Sequence, residues 1–256
     1  MLAALSLLLT FCDIAGKRLC AYRLDSLARE YGVEVRRVTG EGFFPPEWLE
    51  APISATASDM AERELDRMAD LLRGALRAYP RAIIVRHLRS IHLCGSLRFY
   101  GLSFGATNTG DRIYLCSAGV SEGYTDEYIV RAFHHEFAHI LYSKYDFPVE
   151  EWNACNPPGF VYAGGETGGV DAIRKGRDSL AGSERLYSMG FLAEYAMASS
   201  EEDFCVYSEM ALGAGREFGA LAEKHDAVKR KYAVWRRYYL RIDPGFTRTA
   251  PFRILP

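Results

Sequence analysis

His135-Glu136-Phe137-Ala138-His139 sets two imidazoles four residues apart. On a helix, residues i and i+4 share one face, so both rings can reach a single zinc ion. Glu136 is turned by about 100° from His135. That keeps its carboxylate out of the ligand set but leaves it able to hydrogen-bond a metal-bound water. Zinc lowers the pKa of such a water to about 7, and a glutamate can take its proton as the water attacks a carbonyl. His134 diverges from His135 by about 100° and reads as a supporting or packing residue. Two histidines leave the centre one protein ligand short of a catalytic set. Ile140 to Asp146 contains no histidine, so the third ligand has to come from farther along, most simply a glutamate on a later helix. Glu184, Glu194, Glu201, Glu202 and Glu209 all qualify.

The motif needs a helix, and the pattern predicts one from near Thr125 to about Tyr142. Ile129, Ala132, Phe133, Ile140 and Leu141 supply the apolar surface that buries it. Downstream, residues 153–183 are rich in Gly, Pro and Asn and form a long loop. Its glycine-rich part, Gly159 to Val170, reads as a flexible loop near the cleft and not as a phosphate cradle. Ser183 to Tyr195, Glu201 to Leu212 and Glu217 to Leu240 read as helices.

Upstream, a helix over Leu24–Tyr31 and a strand over Val33–Val38 precede the aromatic, proline-rich loop Phe43–Pro52. Asp59 and Glu62 resemble a capping box opening a helix that Tyr79-Pro80 stops. Ile83–Val85, Ser90–Cys94, Leu97–Tyr100 and Arg112–Cys116 read as strands. Strands first and helices after give an α+β fold. We divide the chain into a leader over 1–20, a small α/β subregion over 21–80 and a catalytic domain over 81–256.

Composition narrows the partners. The 256 residues carry 31 Lys plus Arg and 33 Asp plus Glu, a net charge of −2, which argues against a nucleic-acid binder. The locally basic stretch Ala222–Tyr239 therefore reads as a solvated helix face. His87, His92 and His225 lack partners at ligand spacing and read as surface or satisfied core residues. The six cysteines contain no C-x-x-C pair and are too sparse for a disulfide scaffold. Leu2 to Phe11 is an apolar run too short to span a bilayer, ending at Cys12-Asp13. It is similar to a bacterial lipoprotein signal with Cys12 as the lipidated residue, although Phe11 stands where such signals prefer a small residue.

Tyr195-Ala-Met-Ala-Ser-Ser-Glu-Glu-Asp-Phe204 resembles a motif of gluzincin peptidases related to the anthrax lethal factor catalytic domain. With the H-E-x-x-H helix it is more similar still to the zinc-binding metallopeptidase lipoproteins of Bacteroidetes-type bacteria. The resemblance covers roughly residues 80–245 and implies a zincin-like fold with a small mixed sheet, an H-E-x-x-H helix and a helical C-terminal half. It implies Zn2+ held by His135, His139 and Glu202, with Glu136 as general base and Tyr195 binding the oxyanion of a peptide or protein substrate. Glu201 is the rival ligand and Tyr207 the rival tyrosine. It also implies export, to the periplasm or, through lipidated Cys12, to the outer membrane.

Two departures stand out. Ser199-Ser200 replaces an Asn-Pro pair, and Ser can serve as an N-cap in its place. Phe204-Cys205-Val206 replaces a Phe-Ala-Glu run, so either Glu209 orients a ligand histidine or that support is weaker. Weaker support would suit a surface binding or assembly lipoprotein that keeps the fold with little turnover. In gluzincin-like folds the strand before the zinc helix is an edge that pairs with extended peptide. Arg112–Cys116 is either that edge or an ordinary central strand.

Overall fold

The computed structural model describes residues 22–164, 168–249 and 252. The leader expected over 1–20, with Cys12, lies outside the described residues. Two compact units emerge. One holds the described residues up to Leu76 together with Ile84–Ile129, and the other holds Arg77–Ile83 with Val130 onward. The units interleave along the chain.

In the first unit, α1 covers 22–31, followed by β1 (Glu34–Arg36), α2 (Pro46–Leu49), β2 (Thr56–Ser58) and α3 (Glu62–Leu76). Next come α4 (Arg81–His87), which belongs to this unit from Ile84 on, β3 (Ser90–Cys94), β4 (Ser96–Phe99), β5 (Leu102–Ser103), β6 (Ala106–Thr109) and β7 (Arg112–Cys116). Four strands form a mixed sheet in the order β1-β3-β7-β6, parallel except for the β6–β7 pair. Residues of β3 are buried throughout, as expected of a parallel strand covered on both faces. β2, β4 and β5 make a second, antiparallel sheet. Phe43 and Phe44 from the proline-rich loop pack with Leu97, Phe99 and Tyr114 in an aromatic core.

One open alternative is decided here and two sequence expectations change. β7 lies between β3 and β6, so Arg112–Cys116 is a central strand and not an edge. Ile83–Val85 belongs to α4. The residue that stops α3 also opens the next helix, with Ile83 N–H donating to Pro80 O at 2.9 Å. Asp59 is not a cap. Its Oδ1 accepts from Thr39 N and Thr39 Oγ1, both at 2.7 Å, and the first turn of α3 closes on Ala61 O.

The second unit is helical. α5 (Asp126–Lys144) enters it from the first. It is followed by α6 (Val149–Asn153), α7 (Gly168–Arg174), α8 (Glu184–Met189), α9 (Ser200–Gly213), α10 (Gly215–Lys224) and α11 (Asp226–Ile242). The helix expected over Ser183–Tyr195 ends at Gly190, which takes the left-handed conformation that glycine adopts at no steric cost (φ 86°). The long terminal helix is two helices, broken at His225, where the backbone is extended.

α9 lies at the centre of this unit, buried on every side from Glu202 to Glu209. Phe204 packs between Tyr142 of α5 and Tyr238 and Tyr239 of α11. Trp235 Nε1 and Tyr239 OH both donate to Ser208 Oγ, at 2.9 and 3.0 Å. Asp203 Oδ2 accepts from Lys231 Nζ (2.5 Å), Tyr162 OH (2.7 Å) and Trp152 Nε1 (3.0 Å), which ties α9 to α11, α6 and the following loop. No helix among the described residues is long and apolar enough to cross a membrane.

Candidate metal centre

The H-E-x-x-H residues fall in the middle of α5, and their one-turn spacing puts His135 and His139 on the same face. Their Nε2 atoms are 3.2 Å apart. Glu202, in the first turn of α9, brings its Oε2 to 3.2 Å from His135 Nε2 and 3.4 Å from His139 Nε2. Ser199 sets that first turn by accepting from Glu202 N–H at 3.1 Å, so the serine does serve as the cap. Three donor atoms at these separations match the edges of a tetrahedron around one zinc. Bonds of about 2.0–2.1 Å at tetrahedral angles place ligands about 3.3 Å apart. The donors present, two imidazoles and a carboxylate, are those zinc takes in hydrolytic centres.

The outer side of each imidazole is also engaged. His135 Nδ1 contacts Glu209 Oε2 at 3.1 Å, and Arg131 Nη2 donates to the other oxygen of that carboxylate at 2.5 Å. His139 Nδ1 contacts Glu201 Oε1 at 2.7 Å. Consecutive helix residues diverge by about 100°. Glu202 therefore faces both Nε2 atoms, while Glu201 reaches around to the back of His139. Carboxylates in these positions fix ring orientation and tautomer.

Charge follows this geometry. Burial works against a charged His135, yet its hydrogen bonds to the Glu202 and Glu209 carboxylates hold it at about 9. Burial likewise disfavours the charged form of Glu202, and the His139 and His135 imidazoles overcome it, keeping the carboxyl well below its usual range. His134, on another face, contacts Tyr79 OH through Nδ1 at 2.9 Å, and burial pushes it down to about 3. It is a packing residue and takes no part in the centre.

Tyr195 lies in a short 3₁₀ turn, Tyr195–Met197, with its ring 6.0 Å from that of His135 and its hydroxyl beside the Glu202 carboxylate. Tyr207, the rival, is fully buried and donates to Gly190 O at 2.9 Å, away from the centre. Glu136 is buried in the same turn as His135. Glu184 pairs with Lys224, which removes it from the ligand candidates. Glu194 lines a separate cavity with Phe160, Asp171 and Arg177.

Sequence reasoning missed three features. Cys205 places its thiol within 4.8 Å of both imidazoles. It lies one helical turn beyond Glu202, so a spacing of three on α9 would have found it. Arg131 sits one turn before His135, where its link to Glu209 could not be read. Gly169 of α7 backs directly onto the centre. A Cβ there would collide with the Glu202 carboxylate and come within 2.6 Å of the Tyr195 hydroxyl.

Residues 106–232 match the family described as "Putative zinc-binding metallo-peptidase". The match runs from β6 to α11 and contains every residue of the centre. A crystal structure from Bacteroides caccae ATCC 43185 bearing the same description shares the fold, with a TM-score of 0.51 over 93% of this chain and 95% of that one. Identity is 17%, so this likeness concerns the fold alone. No curated protein matches the chain.

Proposed function

We propose that this protein is a zinc-dependent peptidase of the gluzincin type. His135, His139 and Glu202 hold the metal, Glu136 is the general base and Tyr195 stabilises the oxyanion. The observation that carries this reading is the convergence of two Nε2 atoms and one Oε2 atom at 3.2–3.4 Å. Zinc at that point supplies a water of lowered pKa and polarises a carbonyl. The protein's own residues do the rest. Glu136 takes the proton of the attacking water and passes it to the leaving amine. Tyr195 donates its hydroxyl hydrogen toward the carbonyl oxygen as charge develops there. Glu201 and Glu209 hold the two imidazoles in register.

Glu136→Gln tests the reading. Purified protein should carry one zinc per chain and cleave members of a broad peptide library, and the variant should keep the zinc and lose cleavage by at least a hundredfold. A variant that cleaves as well as the parent removes Glu136 from the mechanism. Bound zinc with no cleavage of any peptide by the parent points instead to a binding or assembly protein that keeps the fold.

We further propose that the chain is exported and attached to the outer membrane through lipidated Cys12. The apolar run Leu2–Phe11 ahead of Cys12-Asp13 supports this. Labelled palmitate should appear in the protein and disappear in Cys12→Ser, and a soluble, unlabelled parent would refute the attachment.

A further inference from the structure

Cys94 and Cys116 are Cα partners across the parallel pair β3–β7. Parallel neighbours lie about 4.8 Å apart, and disulfide-linked residues have Cα atoms about 4.4–6.8 Å apart. Each thiol reaches for the other's strand. Cys94 Sγ donates to Leu115 O at 3.6 Å, and Cys116 Sγ donates to Gly95 O at 3.2 Å. The two thiols also lie close enough to perturb each other's ionisation. Both are fully buried. Each is the last residue of its strand, where the ladder ends and the backbone can draw the two Cβ atoms together. The other described cysteines, Cys155 and Cys205, belong to the second compact unit.

We propose that Cys94 and Cys116 are an oxidisable pair that closes into an intrachain disulfide between β3 and β7. This goes beyond the metal-centre reading and does not depend on it. The oxidant is itself a disulfide, either oxidised glutathione or that of a thiol oxidoreductase. Cys116 as thiolate attacks one oxidant sulfur, forming a mixed disulfide and releasing the other sulfur as a thiolate. Cys94 as thiolate then attacks the Cys116 sulfur and displaces the second oxidant thiolate. Two protein thiols thereby give up two protons and two electrons, and the oxidant disulfide becomes two thiols. Because both sulfurs are buried in the folded unit, exchange proceeds while the strands are forming, and the closed bond is then shielded from reductant.

The test is to refold the full chain in a buffer of oxidised and reduced glutathione, block free thiols with iodoacetamide under denaturing conditions, and map peptides by mass spectrometry. A Cys94–Cys116 linked peptide pair, lighter by two hydrogen atoms and released by reductant, is expected. Full iodoacetamide labelling of both residues would overturn the proposal, as would either residue linked to a different cysteine. The melting temperature of the parent should rise by several degrees in this buffer relative to reductant. The Cys94→Ser/Cys116→Ser variant should show no such rise, and an equal rise in the variant counts against the bond.

Discussion

Adjacent glutamates take opposite sides of one imidazole pair. Glu202 meets both Nε2 atoms, and Glu201 meets the back of His139. Their difference is one step of helix rotation, so their substitutions should differ in kind. Glu202→Ala removes a donor and should abolish stoichiometric zinc binding. Glu201→Ala removes an orienting partner and should weaken zinc by about 10–100-fold while leaving a measurable site. Chelator competition followed by metal analysis separates the two, and equal losses would mean the ligand assignment is wrong. The same reasoning recovers what Val206 takes away. The carboxylate absent at that position is supplied by Glu209, one turn farther along α9, steadied by Arg131.

The H-E-x-x-H helix was legible because its two requirements, spacing and an apolar face, are both local. The cap of α9 was legible for the same reason, since Ser199 acts on an amide three residues away. Elements without a local marker were not. Ile83–Val85 is too short a run to distinguish strand from helix, and Pro80 both ends one helix and begins the next. The break at His225 carries neither glycine nor proline, and periodicity continues across it. The strand order could not be read either, because whether Arg112–Cys116 is central depends on which strands pair with it.

At this scale Asp203 and Lys231 join α9 to α11 with both side chains at 0% exposure. Lys231→Met leaves the carboxylate buried without its cation and should destabilise the protein by about 3–5 kcal/mol in urea unfolding. Adding Asp203→Leu should recover part of that loss. No recovery would show that the carboxylate's bonds to Tyr162 and Trp152 matter more than its charge.

For the molecule as a whole, acidity and not salt should set the lower limit of its working range. The net charge is only −2, but His92 is buried in the central strand β3 with Ser90 Oγ 2.9 Å from its Nε2. Burial, aided by the nearby Arg36 and Arg112, pulls it down from 6.5 to about 4. The unfolded chain then binds this proton near pH 6.5 and the folded chain only near pH 4. Stability from this group is complete above 6.5 and falls as pH drops toward 4. Urea midpoints measured at pH 7.5, 6 and 5 should decline across that window, and His92→Gln should make the slope shallower, the buried His134 accounting for part of what remains. An unchanged slope would place the acid sensitivity elsewhere.

Gly169 sets a rule for anyone reshaping this site. Its α-carbon, with no side chain, is the surface that faces Glu202 and Tyr195. A side chain that crowds a site can be shortened, but main chain has nothing to trim. Room beside the centre would have to come from displacing the whole turn of α7, so varying the length of the chain leading into that turn should open the centre, whereas any larger residue at Gly169 would crowd Glu202.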